Sequence, residues 1–198
     1  MELTADCSRC VGLCCTVLPF SRSADFAFDK PAGTPCRHLA DARCGIHDRR
    51  RESGMRGCVA YDCFGAGQSV TETDRIPHFL VVEQVHEIAW YLADATDRGA
   101  DVAPLVAETE LLAASPSPSQ PDVDDLRSRV APVLRAVAEA ARSAYDGWRD
   151  LAGADQSGVD LRAADLRGAS LAGADVSRAL FLTRRQLGSV EVGPGSAR

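Results

Sequence analysis

The chain has 198 residues, 45% hydrophobic and 25% charged, with a formal charge of -6, a composition that excludes a wholly disordered or fibrous protein. Its length suits one ordinary domain or two or three small modules. Acids to bases run 8 to 9 over residues 1–68, 14 to 6 over 69–148 and 6 to 7 over 149–198, so no basic stripe exists for reading phosphates and a nucleic-acid partner is disfavoured.

The N-terminal Met1-Glu-Leu-Thr-Ala-Asp-Cys7 has neither a basic start nor an apolar run. No later stretch approaches the roughly 20 apolar residues of a membrane helix, and the expectation is a cytoplasmic protein without a membrane contact. In a reducing compartment clustered cysteines read as metal ligands or redox thiols before they read as disulfides. All eight, Cys7, Cys10, Cys14, Cys15, Cys36, Cys44, Cys58 and Cys63, fall in a Gly-, Pro- and Arg-rich segment over residues 1–68. That segment shows little apolar periodicity and needs a staple to fold. Soft thiolates suit zinc or an iron–sulfur cluster rather than calcium or magnesium, and bound metal would relieve their repulsion and contribute to folding. One four-ligand site with spare thiols and two separate sites both remain open. The knot Arg49-Arg50-Arg51 reads as a solvated loop, and Gly65-Ala66-Gly67 as a turn.

The run Cys7-Ser-Arg-Cys10-Val-Gly-Leu-Cys14-Cys15 resembles the CxxCxxxCC motif of a cysteine-cluster family, called YkgJ-like and described as zinc- or iron-chelating. Cys36-Arg-His-Leu39, Cys44-Gly-Ile-His-Asp-Arg-Arg50 and Cys58-Val-Ala-Tyr61-Asp-Cys63 match the later parts of that family's pattern. The loop Thr16 to Thr34 and His47, where an aromatic is usual, depart from it. The resemblance covers residues 7–68 and implies a metal-binding module with these eight cysteines as its ligand pool. An iron–sulfur cluster is preferred over zinc, because adjacent Cys14 and Cys15 are awkward as two ligands of one tetrahedral ion. His38 and His47 lie among the cysteines and could ligate, but read first as surface residues or as donors to ligands. Arg50 reads equally as a surface residue or as positive charge beside the thiolates.

Apolar residues at helical spacing, Phe79, Val82, His86, Ala89 and Tyr91 to Ala93, predict a helix over 76–97 that stops at Gly99. A second helix is expected over 102–113, and 114–121, rich in Ser and Pro, reads as an exposed linker. Leu126, Val130, Val133, Leu134, Val137 and Ala141 predict a third helix that starts near Asp122 to Asp125 and ends about Tyr145.

Beyond Trp148 the period becomes five. Leu151, Leu161, Leu166, Leu171, Val176 and Phe181 hold the central position of successive blocks, with Gln156 the exception, and small residues recur two positions earlier. A fixed period of this kind marks a solenoid. The segment 149–187 resembles the pentapeptide-repeat family, which implies a right-handed β-helix of about two coils, with residues 188–198 a flexible tail.

The expected fold class is therefore mixed α+β: a cysteine module over 1–68, a helical middle over 69–148 and a C-terminal β-helix. The expected function is a metal-binding accessory or scaffold protein that carries iron–sulfur or zinc and docks a protein partner. The alternative is an iron–sulfur redox or group-transfer enzyme, although no catalytic motif is recognisable. Topoisomerase modulation by nucleic-acid mimicry, implied by the repeats alone, is disfavoured by a short solenoid in which bases slightly outnumber acids.

Overall fold

The computed structural model describes residues 1–142. The expected β-helix over 149–187, the tail and the end of the third helix lie outside the described residues. Within them the protein is mixed and mostly helical. In chain order come α1 (Leu13–Thr16), β1 (Leu39–Ala40), β2 (Arg43–Cys44), α2 (Arg56–Ala60), α3 (Ala66–Glu72), α4 (Phe79–Asp97), α5 (Ala103–Ala114) and α6 (Gln120–Arg142). The two strands form one antiparallel hairpin that pairs Leu39 with Cys44 and Ala40 with Arg43. Among the described residues no helix is long and apolar enough to cross a membrane.

Two apolar clusters organise the chain. The larger lies between α4, α5 and α6 and buries Val85, Ile88, Leu92, Leu126, Val130 and Leu134. On α6 the buried positions recur every three or four residues from Val123 to Ala138, the stripe an amphipathic helix presents to a core. The smaller cluster joins Leu13, Ala66, Val70, Phe79 and Val82, with Cys10 and Cys63 packed against it. The N-terminal half of α4 therefore faces the cysteine segment, while its C-terminal half faces α5 and α6. This divided duty widens the buried face: Phe79, Val82, His86 and Leu92 are buried as the spacing predicts, Val85, Ile88 and Ala95 are buried as well, and Ala93 is exposed.

The Ser/Pro linker is shorter and less exposed than its composition indicates. Ala114 closes α5, Pro118 is buried, and Gln120 and Pro121 already belong to α6. Proline is tolerated in a first helical turn, where its missing N–H has no partner to lose. Ser119 makes the start definite: its N–H and hydroxyl both donate to Asp122 Oδ2, at 2.9 and 2.6 Å, half of a reciprocal capping arrangement. Arg75 pins the far end of α5 by donating to Ala113 O at 2.8 Å and Ser115 O at 2.6 Å.

Candidate metal centre

Short-range hydrogen bonds deliver each cysteine. The Asp6 carboxylate accepts from Ser8 N–H at 2.8 Å and shapes the 3-10 turn Cys7–Arg9, the local bonding that Asp favours over extended structure. Cys14 and Cys15 ride on α1, and Cys15 O accepts from Cys36 N–H at 2.8 Å, which draws the next cysteine in. The hairpin places Cys44, and α2 carries Cys58. Asp62 accepts from Phe64 N–H at 2.8 Å, so the chain turns between Cys63 and α3.

The N-terminal segment is tied down across a long span. Buried Gln68 on α3 donates to Thr4 O at 2.8 Å and accepts from Asp6 N–H at 3.0 Å. Arg9 reaches both carboxylate oxygens of Glu72, at 2.6 and 3.0 Å, and Glu2 at 2.8 Å. These contacts close the first cysteine turn against the helix that follows the last cysteine.

The result is one cavity of about 610 Å³ whose wall includes all eight cysteines. All eight are free thiols. Their charges are mutually felt: Cys14 bears on Cys7, Cys58 and Cys63, and Cys58 also feels Cys36 and Cys44. Burial pushes Cys58 up to about 11, with Cys14, Cys36 and Cys44 adding to the shift. Cys14 is raised first by a hydrogen bond with the Cys15 side chain and then by burial, and Cys7 by burial and by its neighbours Cys14 and Cys10. These groups are neutral thiols at pH 7 without metal, and a metal ion would displace their protons. The sulfurs line the cavity without converging, for among the described residues no three His, Cys, Asp or Glu side chains form a ready ligand set.

Three features fit this donor set to a thiophilic metal. The first is backbone relief at Gly67: a Cβ there would stand 2.9 Å from Cys10 Sγ and 3.6 Å from Cys63 Sγ. The tripeptide 65–67, expected to be only a turn, brings two sulfurs from opposite ends of the motif against one helix turn. Burial pushes the Cys63 thiol up to about 11, against hydrogen bonds from the Gly67 and Gly65 amides that favour its thiolate. The second is Arg50, whose guanidinium donates to His47 O at 2.7 Å and Cys58 O at 3.0 Å and acts favourably on the Cys7, Cys14 and Cys58 thiolates. Of the basic knot, only Arg50 turns inward. The third is Lys30, which sequence reasoning missed. It is 4% exposed, and its ammonium donates to Leu18 O at 2.6 Å, Thr16 O at 3.0 Å and Pro31 O at 3.2 Å.

Histidines take other places. His38 and His47 both border the cavity, with His38 edge-on to Phe28 and His47 exposed against Asp48 at 3.2 Å. His86 is buried in α4, where its Nδ1 donates to Phe64 O at 2.7 Å. A carbonyl only accepts, so Nδ1 carries the proton.

A family model described as pentapeptide repeats (8 copies) matches residues 150–181, so the five-residue period marks a pentapeptide-repeat segment. Uncharacterized protein YybG of Bacillus subtilis (strain 168) is 47% identical over 110 residues. The match covers 48% of this chain and 39% of that protein, so the chain spans about two fifths of the length of this relative. No solved structure matches the chain.

Proposed function

We propose that the protein is a metal-binding scaffold in which a cysteine module of the YkgJ-like type, residues 1–68, is carried beside a helical segment over 69–148 and a pentapeptide-repeat β-helix over 149–187. The observation that supports this reading is that eight free thiols, gathered from a span of 57 residues between Cys7 and Cys63, border one cavity. A shared cavity favours a single centre over two separate ones. Any of the eight cysteines is a candidate ligand, with Cys14 nearest the middle of their electrostatic network.

An iron–sulfur cluster is preferred to zinc, since it uses adjacent thiols without forcing both onto one tetrahedral ion. When bound, the metal supplies folding free energy to a module with a small apolar core and, if it is an iron–sulfur cluster, a site for electron transfer. The repeat segment and the outer face of the helices would then serve a protein partner.

Anaerobic expression followed by assay of iron, acid-labile sulfide and zinc per chain tests the reading. Iron with sulfide supports the cluster, and zinc alone supports a structural centre. Protein that binds neither and whose fold is indifferent to chelators refutes the metal-binding function.

A further inference from the structure

Among the 22 lysine and arginine residues of this chain only Lys30 is a lysine. Among the described residues it is also the one buried side chain of the lysine and arginine set. Burying an ammonium is costly unless an anion compensates it, and among the described residues no carboxylate pairs with Lys30. Three carbonyls satisfy its N–H donors, but their dipoles do not cancel its charge.

The groups whose ionisation would do so are Cys36, Cys15, Cys14 and Cys58, all on the cavity wall. The loop Thr16 to Thr34, where the sequence departs from the cysteine-cluster pattern, is built around this lysine. Phe20 and Lys30 exchange backbone hydrogen bonds at 3.0 and 2.8 Å, and the Phe20 ring lies 5.8 Å from the ammonium. Phe26 stacks on Phe20 at 4.4 Å and covers Gly57 so closely that a Cβ there would meet its ring at 2.1 Å. The aromatic pair thus lies against the helix that carries Cys58.

We propose that Lys30 is the internal counter-cation of the metal–thiolate centre, held by the Thr16–Thr34 loop against Thr16 O at the end of the helix that carries Cys14 and Cys15. The inference rests on the reading of the cavity as a metal centre. Zinc or an iron–sulfur cluster held by thiolates alone is net anionic, and a compact ammonium at a fixed place offsets that charge more locally than a long guanidinium. Lys30 is a positioning residue in this scheme and not a ligand. Without metal its charge is uncompensated; with metal the cation and the centre stabilise each other.

The test uses the full chain, reduced and metal-free, titrated with Zn²⁺ against a chromophoric chelator. Lys30→Gln removes the charge and leaves a shorter amide with two N–H donors where the ammonium has three, and it is expected to bind Zn²⁺ about tenfold more weakly. Thermal midpoints of the metal-free forms are expected to be equal or higher in Lys30→Gln and Lys30→Met than in the parent chain. Because the chain has one lysine, ¹⁵Nζ-lysine labelling gives one side-chain signal in the unaltered protein, expected to shift when Zn²⁺ is added. Equal Zn²⁺ affinity in Lys30→Gln, or an unmoved Nζ signal in a chain that does bind Zn²⁺, overturns this inference and leaves the metal centre standing. Loss of folding in both metal-free variants assigns Lys30 to the fold and overturns it too. A parent chain that binds no metal overturns both readings.

Discussion

Gly65→Ala tests whether the N-terminal segment is seated on α3 as described. Gly65 has φ +80, and a Cβ there would lie 2.5 Å from Glu2 O and 3.3 Å from Glu2 C. A left-handed conformation costs a non-glycine residue about 1–2 kcal/mol. Forcing a backbone oxygen from 2.5 Å back to normal contact is an overpacking of the kind that costs about 1–3 kcal/mol. Alanine recovers about 0.4–1 kcal/mol through the unfolded chain, so the net loss is about 2–3 kcal/mol. Gly99→Ala is the matched control: φ is +83 at the end of α4, but nothing lies within 4 Å of its Cβ, so only the backbone term remains, about 1 kcal/mol. Urea unfolding of both variants by circular dichroism, in reduced metal-free protein, measures the difference. A Gly65→Ala loss no larger than that of Gly99→Ala would refute the packing of Glu2 against the turn, and with it the closure that brings Cys7 and Cys10 to Cys63.

Burial holds the His86 pKa below its ordinary 6.5, against the Phe64 carbonyl that favours the charged form. The unfolded chain therefore binds a proton that the folded chain refuses. Stability due to this group is fully present above pH 6.5 and falls as pH drops toward the folded value, by at most about 1.4 kcal/mol per pH unit. Urea midpoints between about pH 5 and 7 should lose that slope in His86→Gln, and an unchanged slope would assign the acid sensitivity elsewhere. Asp6, Glu72 and Asp122, lowered mainly by hydrogen bonds from Ser8, Arg9 and Ser119, act at lower pH. Asp122→Ala removes the acceptor of both Ser119 bonds at the start of α6 and should cost about 1 kcal/mol in the same assay; no loss would show that Pro121 alone sets the helix start.

The helices were legible because burial on one side imposes a period: the stripe from Val123 to Ala138 and the stop at Gly99 are both written in local order. The capping of α6 was legible too, in Ser119 three residues before Asp122, but the run of prolines masked it. The five-residue period pointed to repeats, and the cysteine spacing to a thiol-rich module, for the same reason: both are regularities along the chain. The buried face of α4 was legible in part, in Phe79, Val82, His86 and Leu92; the added burial of Val85, Ile88 and Ala95 was not, since it depends on a helix shared between two clusters.

The amino-acid order by itself thus determined the donor chemistry, the helical middle and the repeat segment. Tertiary structure alone decided that eight thiols from separate turns border one cavity, that Gly67 makes room for Cys10 and Cys63, and that Lys30 is buried with its ammonium on Thr16 O at the end of α1. Spacing fixes which side chains can meet within a turn, where few bonds intervene. That Cys7 and Cys63 border one cavity, and that Cys10 and Cys63 both lie over Gly67, depends on how loops of 20 or more residues close, and their ends are set by packing rather than by local sequence.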